Sequence, residues 1–179
     1  MNFKISLEIV KQNFYLTIIF FLFLQACSIQ NITEETLLFN FEGESELDRI
    51  DFKCKTRFQL SNAYKNEGNT SLEMNFYPTD RVGFILKDLK YKINEDHSLS
   101  FWAYNPSLDT SILFVKIEVN NTSKYIYQSE LKNGENIIKL SFKKLSKDFI
   151  TKDIKTISIY RENIDHIETI YFDDFKITI

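Results

Sequence analysis

Apolar and polar residues alternate along most of the chain after residue 36, with the period of two that a half-buried β-strand requires. The first such segment spans 37–41, where Leu37, Phe39 and Phe41 are the apolar members. The alternation recurs in the segments 72–76, 82–86, 99–103, 113–119, 125–127, 138–142, 157–159 and 170–179. The pattern therefore predicts about nine β-strands.

Short segments rich in residues that tolerate turn conformations separate these strands. They are Asn-Glu-Gly-Asn at 66–69, Asn-Pro-Ser at 105–107, Asn-Asn at 120–121 and Asn-Gly at 133–134. Only 145–154 breaks the pattern, and its spacing of apolar residues predicts one short helical turn or an ordered loop. Many short strands joined by turns predict an all-β fold, an antiparallel β-sandwich or barrel.

The N-terminal segment has a different character. Lys4 and Lys11 precede an uninterrupted run at 14–24 in which nearly every residue is apolar, as in a secretory signal. The sequence Leu-Gln-Ala-Cys at 24–27 resembles the bacterial lipobox, whose cysteine is lipidated and becomes the mature N-terminus. The resemblance implies a signal peptide at 1–26, a lipidated Cys27 with a polar tether to residue 36, and one domain at 37–179.

The same resemblance implies a bacterial cell envelope protein held to a membrane by lipid. Ser28 follows the cysteine instead of the aspartate that retains some lipoproteins on the inner membrane, which favours the outer membrane or the cell surface. The alternative is an ordinary cleaved signal or an uncleaved anchor, with Cys27 incidental. If Cys27 carries lipid, Cys54 has no partner for an intramolecular disulfide, because the chain contains two cysteines.

The charge of the chain bears on its partners. The formal net charge is −3 at pH 7, and this mild acidity gives no electrostatic reason to expect nucleic acid. The two histidines, His97 and His166, stand in separate contexts, and the sequence has neither a G-x-S-x-G elbow nor a P-loop. The sequence therefore favours a protein that is not an enzyme.

Five segments follow one another in an order that resembles the galactose-binding-like jelly-roll domains, a superfamily that includes many carbohydrate-binding modules. They are FEG at 41–43, NEGNTSL at 66–72, LSFWAYNPS at 99–107, NGENIIKLSF at 133–142 and IYFDDFKI at 170–177. The resemblance covers nearly all of the domain and implies a jelly-roll β-sandwich. A different β-sandwich, such as an immunoglobulin-like one, is the alternative.

Such jelly rolls commonly hold a structural calcium ion near the place where the first and last strands meet. By motif position, Glu42 and Asp173 match the family's acidic ligands, Asp174 is the neighbour, and Asn69 lies in the loop that contributes further oxygens. Calcium takes six to eight oxygen ligands, and it would offset the repulsion between these carboxylates. The alternative is that the aspartates face solvent or pair with a basic side chain such as Lys176.

The resemblance also implies a ligand site of aromatic and polar residues on one exposed face, because sugar rings stack on aromatic rings. If Leu99, Phe101 and Ala103 face the core, Trp102 and Tyr104 lie on the opposite face of the same strand. The candidate ligand-binding residues are Trp102, Tyr104, Glu118, Tyr127, Tyr160 and Arg161. The alternative is that these aromatics are packing residues, since the chain contains 17 phenylalanines and fills its core with rings by default.

These observations lead to a membrane-anchored lipoprotein whose jelly roll binds a carbohydrate or another small polar ligand without transforming it. The alternative is a structural or assembly lipoprotein whose domain binds another envelope protein. The orientation of Trp102, Tyr104 and Tyr127 separates the two hypotheses. A groove that contains these rings favours a small ligand, whereas rings buried beneath loops favour a protein partner.

Overall fold

The computed structural model describes residues 34–52, 55–119, 124–145, 149 and 152–179. The predicted signal peptide, Cys27 and Cys54 lie outside the described residues. Within the described part of the chain, no helix is long and apolar enough to cross a membrane.

The described residues form thirteen β-strands. They are β1 (Glu35–Phe39), β2 (Ile50–Phe52), β3 (Thr56–Ser61), β4 (Ser71–Phe76), β5 (Thr79–Leu86), β6 (Tyr91–Lys92), β7 (Ser98–Asn105), β8 (Ser111–Glu118), β9 (Lys124–Leu131), β10 (Gly134–Ser141), β11 (Asp153–Ile154), β12 (Thr156–Ile164) and β13 (Glu168–Thr178). Two short 3-10 helices span Glu44–Arg49 and Phe142–Lys144. The nine predicted strands are all present, and the four additional ones are β2, β3, β6 and β11.

Eleven of the strands form two antiparallel sheets. Sheet A has the order β10-β7-β13-β4-β3, with β1 also paired to β13, and sheet B has the order β2-β5-β12-β8-β9. Strands β6 and β11 form a separate two-stranded sheet. The neighbours in each main sheet are mostly distant in sequence, so the chain crosses repeatedly between sheets. The predicted all-β antiparallel sandwich is confirmed.

The core fills the space between sheets A and B. In β8, Leu113, Val115 and Ile117 are fully buried, whereas the residues between them are partly exposed on the opposite face. Aromatic rings from the two sheets contact each other in the core. The ring centroids of Phe84 in β5 and Phe172 in β13 are 5.1 Å apart. Burying one phenylalanine stabilises a fold by roughly 1.5–3 kcal/mol, so this aromatic core supplies a large part of the driving force.

Strand β13 contains a bulge at the adjacent aspartates. Asp173 pairs with Trp102 of β7, but the next pair joins Lys176 to Ser100, so β13 uses one residue more than its partner. The extra residue is Asp174, whose φ of 50° lies in the left-handed region that aspartate tolerates better than most residues. Because of the bulge, both carboxylates lie on the outer face of sheet A, the face turned away from sheet B.

Candidate functional site

The loop at 62–70, between β3 and β4, is bound to the two aspartates of β13. The backbone N–H of Asn66 donates to Asp173 Oδ2 at 3.0 Å, and Asn66 Nδ2 donates to the carboxylate of Asp174. The other oxygen of Asp173 accepts the N–H of Asp174 at 2.9 Å. Burial, and then the adjacent Asp174 carboxylate, raise the pKa of Asp173 to about 6, although these N–H donors oppose the change.

Glu42 holds the other end of the same loop. Its Oε1 accepts the backbone N–H groups of Asn69 at 2.8 Å and Thr70 at 3.0 Å. These two hydrogen bonds, with Thr70 contributing most, lower the pKa of Glu42. Gly68 makes the approach possible, because its φ is +66° and a Cβ atom there would lie 2.2 Å from Glu42 Oε1.

A cavity of about 360 Å³, here called the carboxylate cavity, lies beside these contacts. The polar side chains that line it belong to Glu35, Asn40, Glu42, Glu67, Asp174 and Lys176. Lys176 forms an ion pair with Glu35 at 3.1 Å. The cavity therefore presents several oxygen atoms of the kind that calcium prefers.

Two of the four predicted metal ligands, Glu42 and Asp174, line the carboxylate cavity. Asp173 does not, because both of its oxygens accept backbone N–H groups, and Asn69 turns its amide toward Glu42, where Nδ2 donates to Oε2 at 3.2 Å. In the part of the chain that the structure describes, no group of three or more histidine, cysteine, aspartate or glutamate residues is arranged to hold a metal ion. The alternative of aspartates facing solvent does not hold, since both are buried.

The predicted aromatic face, with Trp102 and Tyr104, lies on the outer side of sheet A, but the 62–70 loop covers it. Tyr64 of that loop stacks on Tyr104 with a centroid distance of 4.0 Å and meets Tyr171 edge-on at 5.0 Å. Trp102 lies 6.0 Å from Tyr104 and is only 2% exposed. Among the described residues its Nε1 has no hydrogen-bond partner. In this arrangement Trp102 is a packing residue.

A second depression, here called the sheet B groove, lies on the outer face of sheet B. Its lining includes Arg81, Gly83, Lys116, Lys124, Ser158 and Tyr160, around a cavity of about 100 Å³. The ring of Tyr160 is stacked against Phe114 at 5.1 Å, and the Arg81 guanidinium lies 4.9 Å above it. Burial raises the pKa of Tyr160, and the positive charge of Arg81 opposes this change.

Two small residues on neighbouring strands create the depth of the groove. A Cβ atom on Gly83 of β5 would lie 2.1 Å from the carbonyl oxygen of Ile159 and 2.6 Å from Cβ of Tyr160, so only glycine fits there. Ser158 of β12 is buried, and its hydroxyl has no hydrogen-bond partner within the described chain. The small side chain of Ser158 leaves room above β12 for the groove.

Two ion pairs flank the groove. Arg81 pairs with Glu162, and Lys116 Nζ pairs with Glu118 Oε1 at 3.0 Å. Glu118 also accepts the hydroxyl of Thr156 at 3.0 Å. Burial opposes the ionisation of Glu118, but the bonds from Lys116 and Thr156 together hold its pKa below the usual range.

The other two predicted ligand-binding residues, Arg161 and Tyr127, lie on the core side of sheet B. Arg161 is buried, and it donates to Glu168 at 2.8 Å and to the carbonyl of Ile112. Tyr127 is paired with the buried Val115, which places it on the core face, where it packs partly buried. Of the predicted ligand residues, Tyr160 lines the sheet B groove and Glu118 flanks it through its ion pair with Lys116, whereas Trp102 and Tyr104 lie together on sheet A.

Sequence reasoning missed Arg81, Gly83 and Ser158. The available signal was the glycine inside strand β5, because glycine in a strand often marks a close approach of backbone or ligand.

No protein-family model matches the sequence, and no curated protein is similar to it. Solved structures share its fold at low identity. A family 11 carbohydrate-binding module from Clostridium thermocellum, in complex with a beta-1,3-1,4-mixed-linked tetrasaccharide, has a TM-score of 0.61 and 13% identity, over 80% of this chain and 94% of that one. The CBM22-2 xylan-binding domain of Paenibacillus barcinonensis Xyn10C has a TM-score of 0.55 and 18% identity, over 79% and 98%.

An exo-beta-agarase has a TM-score of 0.64 and 16% identity, but the match covers 79% of this chain and 24% of the agarase. The chain thus spans about a quarter of that enzyme's length. At such identities the similarity shows the fold alone. The domain has the jelly-roll β-sandwich fold of carbohydrate-binding modules.

Proposed function

We propose that the domain binds carbohydrate in the sheet B groove without transforming it. The observation that carries the proposal is a depression on the outer face of sheet B whose lining sets apolar side chains, among them Ile126 and Tyr160, beside three basic ones. A sugar presents an apolar C–H face to a ring and hydroxyls to polar side chains. Ile85, Ile126 and Tyr160 supply the apolar wall, and Arg81, Lys116 and Lys124 supply polar contacts.

The fold supports this proposal. The two isolated modules with this fold are described as bound to a mixed-linked tetrasaccharide and as xylan-binding, and both match over most of their length. Two carboxylates are present near the groove, but Glu118 and Glu162 are each held in an ion pair with a basic neighbour. This arrangement suits a polar binding surface.

Replacing Ser158 by leucine tests the proposal. The leucine side chain fills the groove and removes a buried hydroxyl that lacks a partner, so stability should be unchanged or slightly higher. Retention on immobilised polysaccharides should fall to background. The matched control is Gln59→Leu, an exposed position on the outer face of sheet A, which should bind as the wild type does.

We also propose that the carboxylate cavity holds a structural calcium ion. The donors that line it have suitable chemistry, since Glu42, Glu67 and Asp174 carry carboxylates and Asn40 carries an amide oxygen. Among the described residues these carboxylates do not converge on one point, so the ion would have to draw their side chains together. Such an ion would join the 62–70 loop to both ends of the domain. Its effect would be on stability and on the position of the loop.

We further propose that lipid on Cys27 anchors the protein to the outer membrane or cell surface of a bacterium. The support is the sequence at 24–27 and the basic and apolar segments before it. Metabolic labelling with a radioactive fatty acid tests the proposal. The wild-type chain should incorporate label, and Cys27→Ala should not.

A second candidate function is the binding of another envelope protein. The observation in its favour is that Trp102 is buried and Tyr64 of the 62–70 loop stacks on Tyr104, so the predicted aromatic platform is covered. On the same face, Ile137 of β10 is paired with Trp102 and is 67% exposed. If the wild-type chain binds none of a broad panel of polysaccharides, this second candidate replaces the first.

A further inference from the structure

We infer that the carbohydrate taken by the sheet B groove is acidic, with carboxylate or sulfate groups along the polymer. The inference rests on the proposed function and adds the chemical class of the ligand. The polar side chains on the groove's lining that carry it are Arg81, Lys116, Lys124 and Ser158. Arginine and lysine only donate hydrogen bonds, and a serine hydroxyl can donate.

The acids nearest to the groove are already engaged. Glu118 accepts from Lys116 and Thr156, and Glu162 accepts from Arg81. Neither acid is part of the groove's lining. The groove therefore offers donors to a ligand, while the matching acceptors are used within the protein. A ligand that presents strong acceptors, above all charged oxygens, fits this arrangement best.

Lys124 gives the groove its excess of positive charge. It stands opposite Glu118 at the start of β9, on the same face as Lys116, and its charge attracts the Glu118 carboxylate, but it makes no direct ion pair with any residue that the structure describes. Three cations and two carboxylates thus surround the groove. This local excess is opposite in sign to the whole chain, whose formal net charge is −3. General surface charge therefore does not account for it.

The two ion pairs can exchange partners with an anionic ligand. The side chains of Arg81 and Glu162 are 55% and 27% exposed, and those of Lys116 and Glu118 are 25% and 33% exposed. Partly exposed ion pairs of this kind contribute little to stability. A carboxylate or sulfate of the ligand can thus replace the glutamate partner of Arg81 or Lys116 with little loss of protein stability. Arginine is suited to this, because its planar fork binds carboxylate and sulfate oxygens in pairs.

The test compares polymers that differ in charge. Polygalacturonate is set against the same polymer in highly methyl-esterified form, and κ-carrageenan is set against agarose, so that the carboxylate and sulfate cases are separated. The full chain is used, in a detergent without a sugar headgroup, and binding is followed by affinity electrophoresis. The variants are Lys124→Gln and the control Lys139→Gln, an exposed lysine on sheet A.

The wild type should bind at least one charged polymer about tenfold more tightly than its neutral counterpart, and Lys124→Gln but not Lys139→Gln should weaken that binding. Raising NaCl from about 50 to about 500 mM should also weaken it. Equal affinity for charged and neutral forms, or no effect of Lys124→Gln, overturns the acidic-ligand inference and leaves the proposed function intact. Absence of binding to all four polymers, together with a neutral panel, overturns both.

Discussion

The backbone N–H of Asn66 donates to Asp173 Oδ2 at 3.0 Å, joining the middle of a surface loop to the centre of the last strand. The bond explains how β13 accommodates a carboxylate that is fully buried. The bulge at Asp174 turns the second carboxylate toward the same loop residue. Adjacent aspartates in a strand thus act as attachment points for the 62–70 loop.

Asp173 should make the metal-free protein less stable as the pH rises. Its pKa is raised from 3.8 to about 6 in the folded state, so the folded protein holds this proton more tightly than the unfolded chain does. The contribution is complete below about pH 3.8 and is lost as the pH rises through about 6. Melting temperatures of wild type and Asp173→Asn, measured in chelator from about pH 4 to 7, isolate this group.

The wild type should lose stability relative to Asp173→Asn across that range, because only the wild type acquires a buried charge. The variant also loses one hydrogen bond, but this loss does not depend on pH. A difference in melting temperature that stays constant from about pH 4 to 7 would show that Asp173 keeps an ordinary pKa.

Gly68→Ala should destabilise the domain more than Gly134→Ala does. Both glycines have positive φ, so alanine is strained at either position, by about 1 kcal/mol. At Gly68 the added Cβ also meets the carboxylate of Glu42, whereas nothing lies within 4 Å at Gly134. Urea unfolding should show an additional loss of about 1–3 kcal/mol for Gly68→Ala.

Combining Gly68→Ala with Glu42→Ala gives the control for the Gly68 prediction. Glu42→Ala alone is the reference, because it also lacks the hydrogen bonds to Asn69 and Thr70, and relative to it Gly68→Ala should lose only the stability that the backbone strain costs. If Gly68→Ala and Gly134→Ala lose the same stability, Glu42 does not lie against Gly68 in solution.

Calcium should raise the melting temperature of the chelated protein. An ion that binds only the folded state stabilises it by RT ln(1 + [L]/Kd), about 2.7 kcal/mol at a hundred times Kd. Glu42→Gln and Asp174→Asn should abolish the shift, whereas Asp96→Asn, on an exposed turn, should preserve it. A melting temperature that is identical in calcium and in chelator would remove the proposed ion.

Tyr64→Ala should expose Trp102, the single tryptophan of the chain. The loop tyrosine stacks on Tyr104, and aromatic pairs of this kind contribute about 0.5–1.5 kcal/mol beyond their buried area. Tryptophan emission should shift to longer wavelength, and quenching by acrylamide should increase. Tyr64→Phe keeps the ring and should behave as the wild type does; unchanged emission in Tyr64→Ala would mean that other groups shield Trp102.

The inner faces of the two sheets must be apolar, so the alternation of apolar and polar residues predicts the sandwich and nine of its strands. It also predicts that Leu99, Phe101 and Ala103 face the core and Trp102 the other side, as the structure shows. The stacking of Tyr64 on Tyr104 could not be predicted from the sequence, since it depends on where a loop folds.

Two other features depend on tertiary structure in the same way. Tyr127 lies on the core face of sheet B because it pairs with Val115. The alternation of apolar and polar residues alone does not determine which face of the sheet it occupies. The sequence predicts Arg161 as an exposed hydrogen-bond donor to a ligand. The structure buries it, because Glu168 on the next strand forms an ion pair with it. The depth of the sheet B groove arises from Gly83 and Ser158 standing side by side on two strands, a juxtaposition that only sheet order creates.

Retention of wild type, Ser158→Leu and Gln59→Leu on immobilised polysaccharides decides whether the sheet B groove binds carbohydrate. We predict that wild type and Gln59→Leu are retained by at least one polysaccharide and that Ser158→Leu, folded and at least as stable, is not. Equal retention of all three proteins would contradict the claim, because the groove would then be filled while binding continued.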